Sequence, residues 1–219
     1  MRFNILDAVS DLNVKISMAE KLSINEMAKQ LVSIGFDCMR CGECCRAGSG
    51  DNTVILFPDE IQLVMDTHGM TPDEVCEPSL PRFIDGKGIL HCFEWVLNRH
   101  SSGDCKFIQH DNTCMLYQQR PWICRTYPFF LAFTNRAAKP DIMVSECRGV
   151  GRPMNEGEAI KLAELLKGRL LAEITEEIRL LENLKGFEDW EPIRDYSSQG
   201  YQGYIIAVHD SSGMTYITD

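Results

Sequence analysis

Two stretches of the chain carry apolar residues at helical spacing. Ile24, Met27, Leu31 and Ile34 form one face, with Ser23 and Glu26 placed as a capping box before them and Gly35 as a stop. This predicts a helix over 24–34. Leu162, Leu166, Leu170, Ile174, Ile178 and Leu181 form the second stripe, opened by Asn155 and Glu158 and closed by Gly186. That pattern predicts a helix of about 29 residues. Gly168 interrupts it and marks a bend or a close approach, because glycine inside a helix costs about 1 kcal/mol against alanine. Pro58 opens a further helix through Ile61, Val64 and Met65, ended at His68-Gly69, and Thr71-Pro72-Asp73-Glu74 caps a short one. Short strands are predicted near 53–57, 82–85 and 88–97, with Asp85-Gly86-Lys87-Gly88 turning between the last two. Ser101–Asp104 reads as a loop. Tyr204–Val208 and Met214–Ile217 predict a terminal hairpin across Asp210-Ser211-Ser212-Gly213. Residues 105–150 show no long period and read as irregular backbone. The fold class is therefore α+β: an N-terminal helical segment (1–35), a small irregular cysteine-rich core with short strands and helices (36–150), and a C-terminal helix and hairpin (151–219).

Charge narrows the partners. Lys and Arg total 22 against 32 Asp and Glu, a formal net charge of −10. Segments 1–35, 36–150 and 151–219 carry 0, −4 and −6. With no Lys/Arg run, such a chain suits neither nucleic acid nor anionic membranes. No stretch is apolar enough for a membrane span, and the N-terminus has no apolar signal core. The expected location is the cytoplasm.

That location decides how the ten cysteines read. In a reducing compartment, clustered thiols are metal ligands or redox groups rather than a disulfide framework. Cys38-x-x-Cys41-x-x-Cys44-Cys45 places four thiols within eight residues. Three cysteines at this spacing can wrap one cuboidal iron–sulfur cluster, with a distant fourth ligand. Structural zinc prefers two separated knuckles, of which only half a pattern stands here. Gly42 permits the tight turn. Adjacent side chains tend to diverge, so Cys45 can serve a second site.

Cys105, Cys114, Cys124 and Cys147 bring the candidate metal ligands to eight, enough for two four-thiolate sites, and the spacing leaves their partition open. Cys76 and Cys92 read as small buried hydrophobes. Around Cys114 and Cys124, Pro121 and Pro128 stiffen the chain, and Tyr117, Trp122, Tyr127 and Phe129 either shield a metal or pack as core. Arg120 and Arg125, with Arg40 and Arg46, can offset the negative charge of a thiolate-bound centre. His110 is a candidate substitute ligand. Neither a Walker A loop nor a G-x-G-x-x-G run occurs.

Cys38–Cys45, Cys105, Cys114, Tyr117-x-x-Arg120-Pro121, Cys124-Arg125-x-Tyr127-Pro128-Phe129 and Cys147 together resemble the YkgJ-type CxxCxxCC cysteine-cluster family, described as zinc- or iron-chelating. The resemblance covers residues 36–150. Flagellin lysine N-methylases carry a similar cluster, so the resemblance also implies a protein-modifying enzyme as an alternative. Three functions stand: an iron–sulfur protein (4Fe-4S) with an electron-transfer or accessory role in a larger enzyme system, a lysine N-methylase-type enzyme, and a structural zinc module. The long stripe at 162–181 packs on the cysteine domain or docks on a protein partner or a second copy.

Overall fold

The computed structural model describes residues 4–49, 52–134, 139–184, 189–193 and 203–218; Gly186, read as the stop of the long helix, lies outside them. Along the chain run α1 (Ile5–Glu20), α2 (Ile24–Ile34), β1 (Ile55–Leu56), α3 (Pro58–His68), α4 (Pro72–Val75), β2 (Cys76–Pro78), β3 (Phe83–Ile84), β4 (Leu90–Cys92) and β5 (Trp95–Leu97). They are followed by α5 (Trp122–Thr126), β6 (Phe129–Ala132), β7 (Asp141–Val144), α6 (Glu156–Asn183), β8 (Glu191–Pro192), β9 (Ile206–Asp210) and β10 (Gly213–Ile217). This is the α+β class. The chain divides into two compact units, each discontinuous in sequence.

The first unit comprises Met1–Asn52 and His100–Thr175. Asn4 caps α1 by accepting the Leu6 N–H at 3.0 Å. Ser23 caps α2 by accepting the Glu26 N–H at 3.3 Å, and Gly35 ends it at φ 72°. Leu31 of α2 and Leu166 of α6 are fully buried. The stripe read from the sequence is thus covered within the chain: Leu162, Leu170 and Ile174 are buried with Leu166. Lys167 Nζ donates to the carbonyls of Glu20 (2.7 Å) and Leu22 (3.0 Å), tying α6 to the α1–α2 corner. Gly168 is a close approach, since a Cβ there would lie 3.1 Å from the Trp122 ring. The reading of 105–150 as irregular backbone needs correction. It contains α5 and an antiparallel ribbon pairing Phe129–Ala132 with Asp141–Val144. Four-residue strands hold too few alternations for a period of two to stand out.

The second unit comprises Thr53–Arg99 and Glu176–Asp219. Its larger sheet has the order β10-β9-β4-β3-β8, antiparallel except for β4 beside β9. A second sheet has the order β1-β5-β2. The single strand expected over 88–97 is two strands in different sheets. The Glu94 carbonyl accepts from Ser79 N–H at 2.9 Å and the His91 carbonyl from Arg82 N–H at 2.8 Å, on either side of the break. The cap read at Thr71–Glu74 is present, Glu74 accepting the Thr71 N–H at 2.8 Å, and Pro58 opens α3 as expected, with Glu60 adding a cap on the Phe57 N–H at 3.0 Å.

Candidate metal centre

All eight candidate ligands fall in the first unit, whereas Cys76 and Cys92 fall in the second and are buried. The Cys38–Cys45 run is bent by two left-handed residues, Arg40 at φ 52° and Gly42 at φ 75°. The left-handed φ at Gly42 favours glycine, and a Cβ there would also crowd Ile108 Cδ1 at 2.8 Å, where the turn lies against the 105–114 segment. Cys45 N–H then closes on the Gly42 carbonyl at 3.0 Å, forming a single tight turn over Glu43–Cys45.

Backbone bonds bring the distant thiols to this loop. Cys105 N–H donates to the Cys45 carbonyl at 2.8 Å. Ile108 bridges Cys114, with Gln109 N–H on the Thr113 carbonyl and Met115 N–H on the Phe107 carbonyl, so Cys105 and Cys114 flank one tight hairpin. Arg46 clamps this hairpin to the loop: Nη2 donates to Asn112 Oδ1 at 2.7 Å, and Nη1 meets Asp104 Oδ2 at 3.4 Å. Cys124 sits on α5, which Arg169 of α6 steadies through Thr126 Oγ1 at 2.9 Å. Cys147 enters through a second staple. Phe36 bridges Val150, Asp37 N–H donates to the Gly149 carbonyl at 3.1 Å, and a Cβ on Gly149 would lie 2.5 Å from the Asp37 carbonyl oxygen. Tyr127 Oη donates to the Glu146 carbonyl at 2.6 Å.

The thiols form one electrostatic neighbourhood. Cys44 and Cys45 Sγ lie 3.9 Å apart, so the adjacent side chains converge where divergence was expected. The Cys45 S–H can donate to a Cys44 thiolate, which lowers the Cys44 pKa to about 7, against burial, and leaves the shared proton on Cys45 with its pKa well above the usual thiol range. Burial pushes Cys124 far up, and the neighbouring Cys105, Cys44 and Cys114 push it further. Burial also raises Cys114 and Cys147, the latter opposed by the Gly149 N–H on its sulfur. Arg120 is the cation these sulfurs face: it favours the thiolates of Cys44, Cys114 and Cys124. Its guanidinium also stacks on Tyr117 at 4.1 Å, with Arg40 on the same ring at 5.5 Å. Arg125 stacks on Trp122 at 4.3 Å, with its Nε buried and unpaired among the described residues. His110 is exposed at the hairpin tip.

The donor set fits a thiophilic metal. Backbone pairing draws the segments carrying eight soft sulfurs into one unit, where neighbouring thiolates would repel one another, and a cation removes that penalty by holding them deprotonated. Among the described residues, no three His, Cys, Asp or Glu side chains are gathered closely enough to form a ready single-ion site. Asp104 and Asn112 were not legible as supports of the site, because their partner Arg46 lies 58 and 66 residues away and no local spacing connects them. The family model "CxxCxxCC: Putative zinc- or iron-chelating domain" matches residues 37–148, just over half of the chain. No curated protein and no solved structure matches the chain.

Proposed function

The chain belongs to the CxxCxxCC family of zinc- or iron-chelating domains, and from this premise we propose that it is a cytoplasmic iron–sulfur protein with a redox or accessory role beside a larger enzyme. One observation carries the choice of iron over zinc. Cys38-x-x-Cys41-x-x-Cys44 is a run that can wrap one cuboidal cluster with a distant fourth ligand, and the pairing of Asp37 with Gly149 draws Cys147 toward it. Structural zinc takes two separated knuckles, of which only half a pattern stands here. When bound, such a centre supplies one-electron redox chemistry. The chain's own part is to hold the thiolates, to offset their charge with Arg120, and to limit water at the half-buried Cys41, Cys45, Cys105, Cys114, Cys124 and Cys147, with Cys38 and Cys44 left exposed.

Structural zinc is the second reading, and Cys44–Cys45 favours it: their 3.9 Å separation suits two thiolates on one ion. Anaerobic purification followed by metal and sulfide analysis and a visible spectrum separates the two. Iron with inorganic sulfide and broad visible absorbance is the expected result. Stoichiometric zinc without sulfide would move the protein to the structural class.

A further inference from the structure

The backbone gathers the eight thiols through two separate staples. The first joins residues 36–37 to 149–150 and delivers Cys147 to the start of the cysteine run. This pairing sets the Cys147 backbone two residues from the bond to Asp37, whose next neighbour is Cys38. The second runs from the Cys45 carbonyl to Cys105 N–H and through the hairpin to Cys114. Cys45 lies within reach of Cys105 and Cys124, and Cys124 within reach of Cys105 and Cys114. Cys44 stands between the groups, 3.9 Å from the Cys45 sulfur and within reach of Cys147, Cys114 and Cys124. The second group is already four thiols without it. The first group has three, and the regular x-x spacing after Cys38 and Cys41 supplies Cys44 as its fourth.

We propose that the eight thiols form two four-thiolate metal sites, one from Cys38, Cys41, Cys44 and Cys147 and the other from Cys45, Cys105, Cys114 and Cys124. The adjacent pair Cys44–Cys45 is then the boundary, each residue serving a different centre. Arg46 braces the second site, because its guanidinium ties the loop to both ends of the hairpin that carries Cys105 and Cys114. Gly149 braces the first, because its missing side chain lets the Asp37 carbonyl approach. The division rests on the reading that these thiols hold iron–sulfur centres, since one zinc holding both Cys44 and Cys45 would place them on the same site.

The test uses the full-length, metal-loaded protein without substitution. Metal is withdrawn in steps with a chelator under anaerobic conditions. At each step a short pulse of iodoacetamide alkylates the freed thiols, and fragmentation mass spectrometry locates the labels, Cys44 and Cys45 included. The expected result is two labelling groups, with Cys38, Cys41, Cys44 and Cys147 becoming reactive together and Cys45, Cys105, Cys114 and Cys124 together at a different chelator step. Eight thiols labelling as one group, or Cys44 moving with Cys45, would overturn the division while leaving metal binding intact. A protein that carries no metal before chelation would overturn the metal reading itself.

Discussion

Cys92 and Cys124 both resist ionisation, for different reasons. In Cys92, burial pushes the thiol up to about 11, with the Ser79 hydroxyl opposing, and the side chain is fully covered within β4. In Cys124, burial is reinforced by Cys105, Cys44 and Cys114, so its proton is held by a crowd of sulfurs that one cation would relieve. The two thiols therefore predict opposite responses to the same replacement. Cys124→Ser should lower bound metal markedly and destabilise the first unit, because ligand free energy is also folding free energy. Cys92→Ser should leave metal content unchanged and cost about 1–2 kcal/mol by placing a more polar hydroxyl in a dry strand. Metal analysis with a urea titration of each variant checks both. Metal lost from Cys92→Ser and retained by Cys124→Ser would reverse the assignment.

The strands of the second unit carry a polar cluster unrelated to the cysteines. His91 on β4 and His209 on β9 are 4% and 6% exposed, and His91 Nδ1 meets His209 Nε2 at 2.9 Å. Trp190 stacks on His91 at 3.9 Å between ring centroids. Asp85 lies 3.5 Å from His91 Nε2; burial would raise its carboxyl, but the N–H groups of Ile89 and Lys87 outweigh that and hold it low. Burial lowers both imidazoles, against the pull of Asp85 on His91; His209 falls to about 4, pushed further by His91 and opposed by Asp210. The folded state thus keeps both rings neutral while the unfolded chain protonates them near the ordinary value of 6.5. Below that value the unfolded state binds more protons, so stability is complete above about 6.5 and is lost as pH falls toward about 4. For His209 this amounts to roughly 3 kcal/mol at most. Urea titrations of wild type and His209→Gln between these limits check it: the variant should show the flatter dependence, and parallel curves would refute the argument. Neither histidine was legible as half of a pair, because they lie 118 residues apart on strands whose parallel pairing no local pattern announces. What was legible was local. The caps at Ser23 and Glu74, the start at Pro58 and the stripe of α6 each depend on residues within a turn or two. The ribbon of β6 and β7, the staple between Asp37 and Gly149 and the convergence of Cys44 with Cys45 depend on contacts that sequence spacing does not encode.

At the scale of the whole chain, the long C-terminal helix is where fold and metal site meet. The first unit takes its residues to Thr175 from α6, and Leu166, Leu170 and Ile174 are buried in it alongside Ala159 and Ala163. Each buried large aliphatic side chain is worth about 1.5–3 kcal/mol, so three of them approach the 5–15 kcal/mol that holds a typical domain together. The polar ties point the same way. Lys167 holds the carbonyls at the end of α1, and Arg169 holds Thr126 two residues from Cys124. Removing α6 would therefore loosen the helix that presents a candidate ligand as well as the core beneath it. The same cut takes β8, β9 and β10 from the five-stranded sheet, leaving β4 without its parallel neighbour. Truncation after Gly151 should consequently give an insoluble or molten chain that retains little metal, measured by soluble yield, near-UV circular dichroism and metal content. A soluble truncated protein with full metal content that had lost only self-association or a partner would show instead that the stripe is a docking face, and that its burial within the chain contributes little to the cysteine-bearing unit.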